Sequence, residues 1–201
     1  MKEYMYEKLF HIHTRKERND KPNKELSYHP YEPTPYEALE ILFEEYDVKE
    51  SDHIVDFGCG KGRLNFFIHY YYHASVTGIE MNEDFYRDAL HNRISYGKRT
   101  KQKVDRIQFC CCLAEEYPIQ TVDNRFYFFN PFSIDVFRKV VDNIIHSVQD
   151  DPRHVELILY YAHEDYIYLL EDETLFELVK EVQIPHLYKR NPYERFLIYR
   201  L

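Results

Sequence analysis

"VDFGCGKGR", residues 55 to 63, decides the fold. It places Gly58, Gly60 and Gly62 immediately after a short apolar run, "HIVDF", in a chain with only five glycines. Glycine lacks a Cβ, so a backbone built from it can turn sharply and let a ligand approach. An apolar strand, a glycine turn and then a helical pattern, "KGRLNFFIHYYYH", form the entrance to an α/β unit. Helix N-terminal amides carry partial positive charge and suit a ligand lying against the turn.

Outward from this turn, strand and helix patterns alternate. "SVTGIE", "RIQFCCC", "RFYFFN" and "HVELILYYA" read as strands. "NEDFYRDALHNRISYG", capped by Asn82, "SIDVFRKVVDNIIHSVQ", capped by Ser133, and "EDYIYLLE" read as helices. The chain closes with "FELVKEVQI" and "ERFLIYRL", two strands joined by a turn at "KRNPY". The fold class expected is therefore α/β: a doubly wound, mostly parallel sheet ending in an antiparallel hairpin. Upstream, Thr34, Pro35 and Glu37 read as the cap, first position and capping-box acid of a helix carrying Leu39, Leu42, Phe43 and Tyr46 on one face. Residues 1–13 suggest a short amphipathic helix, and polar residues 14–33 a loop or lid. The expected division is an extension or lid at 1–33 and one domain at 34–201.

Composition narrows the class. With 201 residues the chain is long enough for one sizeable core. Net charge is -9, which favours a small or cationic substrate, or a protein, over a nucleic-acid backbone, without excluding a local basic patch. The run "GKRTKQK" at 97–103 reads as a solvated helix end. There are 20 Tyr and 14 Phe but no Trp; most of the tyrosines are expected at core edges with wet hydroxyls. Cys59, Cys110, Cys111 and Cys112 lack zinc-site spacing and are expected reduced and buried. His69 and His73 share a helix face without a third ligand and are expected at the surface, and "HIH" at 11–13 reads as coincidence. No stretch has the length of a membrane span, and "MKEYMYEKLFHIH" lacks a signal-peptide core. The expected compartment is the cytoplasm, with no metal and no membrane partner.

Ligands of open α/β sheets bind beyond the carboxyl ends of the strands, so the segments to inspect are 58–62, 80–82, 113–116, 130–133 and 163–165. A nicotinamide fingerprint would read G-x-G-x-x-G, but Arg63 stands where its last glycine belongs. Glu80 closes the second strand about 20 residues after the turn, where an acid can accept both ribose hydroxyls.

"VDFGCGKGR", "VTGIEMN" and "FYFFNPFS" resemble motifs of class I S-adenosylmethionine-dependent methyltransferases, over about residues 34 to 201. The resemblance implies a Rossmann-like seven-stranded sheet. It implies S-adenosylmethionine as cofactor, with S-adenosylhomocysteine as product. By that likeness Gly58, Gly60 and Gly62, with Phe57 and Cys59 between and beside them, pass under the methionine portion. Asp56 orients the loop, Glu80 holds the ribose and Met81 flanks the adenine. Ala114 and Glu115 are candidates near the adenine amine, although Leu113 displaces the family's usual acid. Asn130, Pro131 and Phe132 stand where amino-group methyltransferases carry N-P-P-aromatic, so Asn130 and its neighbours are expected to border the transferred methyl, with Phe132 and Ser133 departing from that pattern. The His163-Glu164-Asp165 segment reads first as a helix cap. Tyr28, Tyr31 and Tyr36 read equally as a cover for the site and as packing. The expected acceptor is a nitrogen on a small molecule or protein. The alternatives are an amino group on a nucleic-acid base, or a cofactor-binding adaptor without turnover.

Overall fold

The computed structural model describes residues 2–16 and 27–201; residues 17–26 of the expected lid lie outside the described residues. The chain order is α1 (Lys2–Phe10), α2 (Tyr36–Glu45), β1 (His53–Phe57), α3 (Arg63–Tyr72), β2 (Ser75–Ile79), α4 (Glu83–Thr100), β3 (Ile107–Cys110), a 3-10 turn (Ala114–Glu116), β4 (Arg125–Phe129), α5 (Ile134–Asp150), β5 (Glu156–Tyr160), α6 (Glu164–Glu173), β6 (Glu177–Gln183), α7 (Pro185–Tyr188) and β7 (Arg195–Arg200). Seven strands form one sheet in the order β3-β2-β1-β4-β5-β7-β6. β1 to β5 run parallel, and β7 is antiparallel to both β5 and β6. The expected Rossmann-like sheet with its terminal hairpin is the one observed, with a short helix, α7, added before the hairpin turn. No helix of the described residues is long and apolar enough to cross a membrane.

Alternation along the strands builds two cores. Ile54, Val76, Ile107, Tyr127, Ile158 and Ile198 face a layer containing α1 to α4. Val55, Phe57, Phe126, Phe128, Leu157, Leu159 and Leu197 face α5 and α6. The order reverses between β1 and β4, where the first half of the sheet runs one way and the second the other. That opens a crevice beyond their carboxyl ends.

Some tyrosines lie deeper than the core edge. Tyr36, Tyr96, Tyr160, Tyr166 and Tyr199 are fully buried. Their hydroxyls find protein partners: Tyr96 donates to Gln102, Tyr166 to the Phe132 carbonyl and Tyr199 to Glu171. A buried hydroxyl without a partner would be costly, so each ring brings a fixed partner with it. His69 corrects an expectation. It is buried against Tyr96, with Nδ1 at 2.8 Å from the hydroxyl, and burial lowers its pKa. Of the four cysteines, all free, Cys59 is buried but Cys111 is exposed.

Thr34 does not cap α2. Its hydroxyl turns inward to Tyr127 (2.8 Å), and the Tyr36 N–H donates instead to Glu3 Oε1 of α1 (3.0 Å). Glu37 forms no capping box and lies near Lys2 and His186. Ser133 occupies the cap position of α5 without a side-chain bond. Asn82 does cap α4, accepting from Asp84 N and Phe85 N.

Arg63 holds the N-terminal segment to this framework. Its guanidinium, 4% exposed, donates to Thr14 Oγ1 (2.8 Å) and the Thr34 carbonyl (3.1 Å), pairs with Glu3 (2.6 Å) and Glu7 (3.6 Å), and lies over the Tyr36 ring. Removing one member of a buried ionic cluster leaves the others desolvated and unpaired. Arg63→Met is expected to cost about 3 kcal/mol in denaturant unfolding. Hydrogen exchange should show α1 losing protection before the sheet; uniform protection loss, or none, would contradict this role.

Candidate active site

The glycine turn leaves β1 at the crevice. Gly58, Gly60 and Gly62 all have positive φ, at 77°, 54° and 86°. Gly58 N and Cys59 N both donate to the Ile79 carbonyl, at 2.9 and 3.0 Å, which pins the turn to the end of β2. A Cβ on Gly60 would stand 2.1 Å from the Tyr31 ring, and one on Gly62 would stand 2.7 Å from Phe109. The first close approach is on the crevice side and the second is within the core, so the two glycines are required for different reasons.

Glu80 follows β2. Its carboxylate accepts from Gly60 N (2.9 Å) and Asn82 N (2.7 Å), which fixes it beside the turn. Burial raises its pKa to about 7. Asp56 lies deeper. Burial, with the nearby Glu80 charge second, raises it to about 8. Its support is Asn65, whose amide, turned to satisfy both neighbours, donates to Asp56 Oδ2 (3.0 Å) and accepts from Gly78 N (3.2 Å).

β4 ends at Asn130, which adopts a left-handed conformation (φ 40°) that is strained for a residue with a Cβ. Its carbonyl accepts from His29 Nδ1 (2.6 Å), while its side-chain Oδ1 is buried with no hydrogen-bond partner. Residues 27–29 lie alongside 131–133. Tyr28 bridges Phe132 antiparallel, His29 N donates to the Pro131 carbonyl (2.9 Å), and Ser133 N donates to the Ser27 carbonyl (2.7 Å).

These elements enclose a cavity of about 500 Å³. Gly58, Glu80, Met81, Ala114, Asn130 and Pro131 line it, so the structure brings together candidates from four strand ends. Phe57 and Phe132 do not line it: both are buried in the aromatic core, Phe57 stacked on Phe128 at 5.1 Å and Phe132 against Tyr28. Asp56 and Cys59 border a separate small recess beneath Tyr31. Glu115 is outside the cavity lining, taken up by the Tyr28 hydroxyl (2.8 Å) and Lys139 (3.7 Å). Tyr31 covers Gly60, whereas Tyr36 is core. His163 caps α6, as its sequence context suggests.

The cavity also contains Lys16, His29, Glu32, Phe85, Cys112, Phe129, Tyr160, Tyr161 and Glu194, which the strand-end survey missed. β5 ends at Tyr160, earlier than the apolar run suggests. The Tyr160-Tyr161 pair at the end of "ELILYY" is the signal that was present. Glu194 had none, because only the antiparallel seating of β7 beside β5 brings it there.

Residues 48–195 match a family model described as a methyltransferase domain. The chain belongs to that family. The methyltransferase shares its fold with an RNA methyltransferase from Salinibacter ruber in complex with S-adenosyl-L-homocysteine: TM-score 0.60, 18% identity, covering 84% of this chain and 92% of that one. It is also similar to a putative RNA methyltransferase from Pyrococcus horikoshii (TM-score 0.56, 16% identity, 89% and 88% covered). A third neighbour is a geranyl diphosphate C-methyltransferase from Streptomyces coelicolor, in complex with Mg2+, geranyl-S-thiolodiphosphate and S-adenosyl-L-homocysteine (TM-score 0.56, 10% identity, 82% and 74% covered). No curated protein matches the chain in sequence. The methyltransferase thus has the Rossmann-like fold of the S-adenosylmethionine-dependent class I enzymes.

The two buried carboxyls set a pH dependence. Asp56 near 8 and Glu80 near 7 both exceed ordinary carboxyl values. The native state therefore holds more protons than the unfolded chain between those values and the ordinary ones, and stability falls as pH rises through this window. Asp56→Asn is expected to raise the melting temperature most at about pH 9, less at about pH 5 and little at about pH 3. Equal shifts in thermal melts at these pH values would contradict the burial of a charge there.

Proposed function

We propose that this methyltransferase moves the methyl group of S-adenosylmethionine to a nitrogen atom held at Asn130. The fit of the donor rests on the cavity's residues. The Glu80 carboxylate is held by backbone amides of Gly60 and Asn82 and lines the cavity, where its remaining acceptor capacity can meet a ribose hydroxyl. Met81, Ile79 and Ala114 offer an apolar wall for a base, and Gly58 leaves backbone exposed beneath it. The cavity volume lies in the usual range for a small-molecule site. The bound donor supplies a sulfonium methyl, which passes to the acceptor nitrogen as the carbon–sulfur bond breaks and its electron pair stays on sulfur.

The observation that carries the nitrogen reading is the buried, unpartnered Oδ1 of Asn130, a residue that lines the cavity. An amide oxygen there accepts from an acceptor N–H, turns the nitrogen lone pair toward the methyl and shields the growing positive charge on nitrogen. The strained backbone at Asn130 is held by His29 on its carbonyl, so the side chain is oriented before substrate arrives. Alignment of this kind can supply most of the acceleration for a good leaving group. Pro131 packs against the Gly58 Cα, which holds the nitrogen-positioning loop and the glycine turn in one relation.

Two measurements test this reading. With methyl-labelled donor and a pool of amines, Asn130→Ala is expected to lose about 10²-fold in turnover while affinity for S-adenosylhomocysteine stays within about twofold. Undiminished turnover would remove Asn130 from the reaction. The affinity of the wild type for S-adenosylhomocysteine should also fall as pH drops through about 7, where Glu80 takes a proton. Glu80→Gln should bind more weakly and lose that dependence; a wild-type affinity flat across this range would contradict the ribose role.

A further inference from the structure

We infer that the acceptor is a small amine that enters as its ammonium ion, is held in an aromatic and acidic corner of the cavity beside Asn130, and gives its proton to the Glu194 carboxylate so that the neutral nitrogen attacks the sulfonium methyl; this rests on the nitrogen reading above. Phe129, Tyr160 and Tyr161 form the corner. Phe129 is 4.7 Å from Tyr160 at a tilted angle and 6.4 Å from Tyr161 edge-on, centroid to centroid; all three line the cavity, with Tyr160 backed by the Phe196 ring. Two carboxylates, Glu194 and Glu32, line the same cavity. The Tyr160 hydroxyl donates to Glu194, and among the described residues neither acid forms an ion pair with a lysine or arginine. Aromatic rings and carboxylates together are the surroundings that an ammonium group favours.

The corner is built, not incidental. Tyr161 is in a left-handed conformation (φ 55°), directly after β5, just as Asn130 is directly after β4. Its N–H donates to the Arg195 carbonyl (3.2 Å), and its hydroxyl accepts from Asn191 (2.7 Å). Residues of the β6–β7 connection therefore pay for a backbone strain whose effect is to set one ring. Strain of this kind persists only where surrounding contacts determine it. Lys16 is the cavity's lysine among the described residues; it belongs with the N-terminal wall and suits the carboxylate of the donor's amino-acid portion.

The same features disfavour a nucleic-acid acceptor. Phosphates would meet Glu32 and Glu194 at the cavity. The basic run at 98–103 ends α4, which starts beside the cavity with Phe85 and carries that run about 20 Å away.

The test uses choline, a cation that cannot be methylated on nitrogen, and its uncharged isostere 3,3-dimethyl-1-butanol. Binding of each to the full chain is followed by ligand-observed nuclear magnetic resonance, with and without S-adenosylhomocysteine. Choline should bind at least about tenfold more tightly than the alcohol. Tyr161→Ala and Glu194→Gln should each reduce that preference about fivefold, Tyr161→Phe should keep it, and affinity for S-adenosylhomocysteine should stay within about twofold. Equal binding of the two probes, a preference unchanged in both weakening variants, or displacement of choline by a short oligoribonucleotide whose binding ignores Glu194→Gln would overturn the inference. If S-adenosylhomocysteine fails to bind while the choline preference and its loss in the variants persist, the donor reading falls and the cationic corner is supported.

Discussion

The buried guanidinium of Arg63 is the contact on which the site's shape depends. Arg63 opens α3, immediately after the last glycine of the turn, so the turn that shapes the cavity floor also carries the anchor for its roof. Through Thr14 and Thr34 the guanidinium grips both ends of the stretch that includes Tyr28, His29 and Tyr31. Through Glu3 and Glu7 it holds α1, whose Glu3 in turn caps α2. A lysine would supply charge but not the planar fork that serves several acceptors at once. The residue that breaks the dinucleotide fingerprint is thereby explained: it points away from any ligand and into the N-terminal segment.

Around this anchor the protein concentrates unfavourable features in one place. Two strand ends carry residues with positive φ, and two carboxyls lie in surroundings that oppose their charge. Each costs stability, and each is supported by bonds from elsewhere in the chain. His29 supports Asn130, the β6–β7 connection supports Tyr161, and the amides of the glycine turn and α4 support Glu80. Such clustering is expected where geometry serves binding and reaction more than folding. The rest of the sheet is made of regular apolar alternation and needs no such compensation.

Much of this was legible in the sequence because the determinants are local. The glycine turn, the acid closing the next strand, the Asn82 cap and the alternation of strand and helix are set by a few neighbouring residues each. Legibility failed where the partner is distant. Thr34 reads as a cap, but Tyr127 and Glu3 claim the two halves of that role. His69 reads as a surface group, and the buried tyrosines as core-edge groups, because nothing adjacent shows that Tyr96, Gln102 or Glu171 will satisfy them. Phe132 reads as part of the site because it adjoins Asn130, but strand geometry sends its ring into the core. Glu194 could not be placed at all without knowing that β7 lies antiparallel between β5 and β6.

The central claim is that the glycine turn and Glu80 hold an adenosyl sulfonium donor, not a dinucleotide. Calorimetric titration of the full chain with S-adenosylhomocysteine, with NAD as the competing ligand, tests it most directly. The account predicts micromolar binding of S-adenosylhomocysteine and no detectable heat from NAD. Preference for NAD, or no binding of S-adenosylhomocysteine, would contradict it.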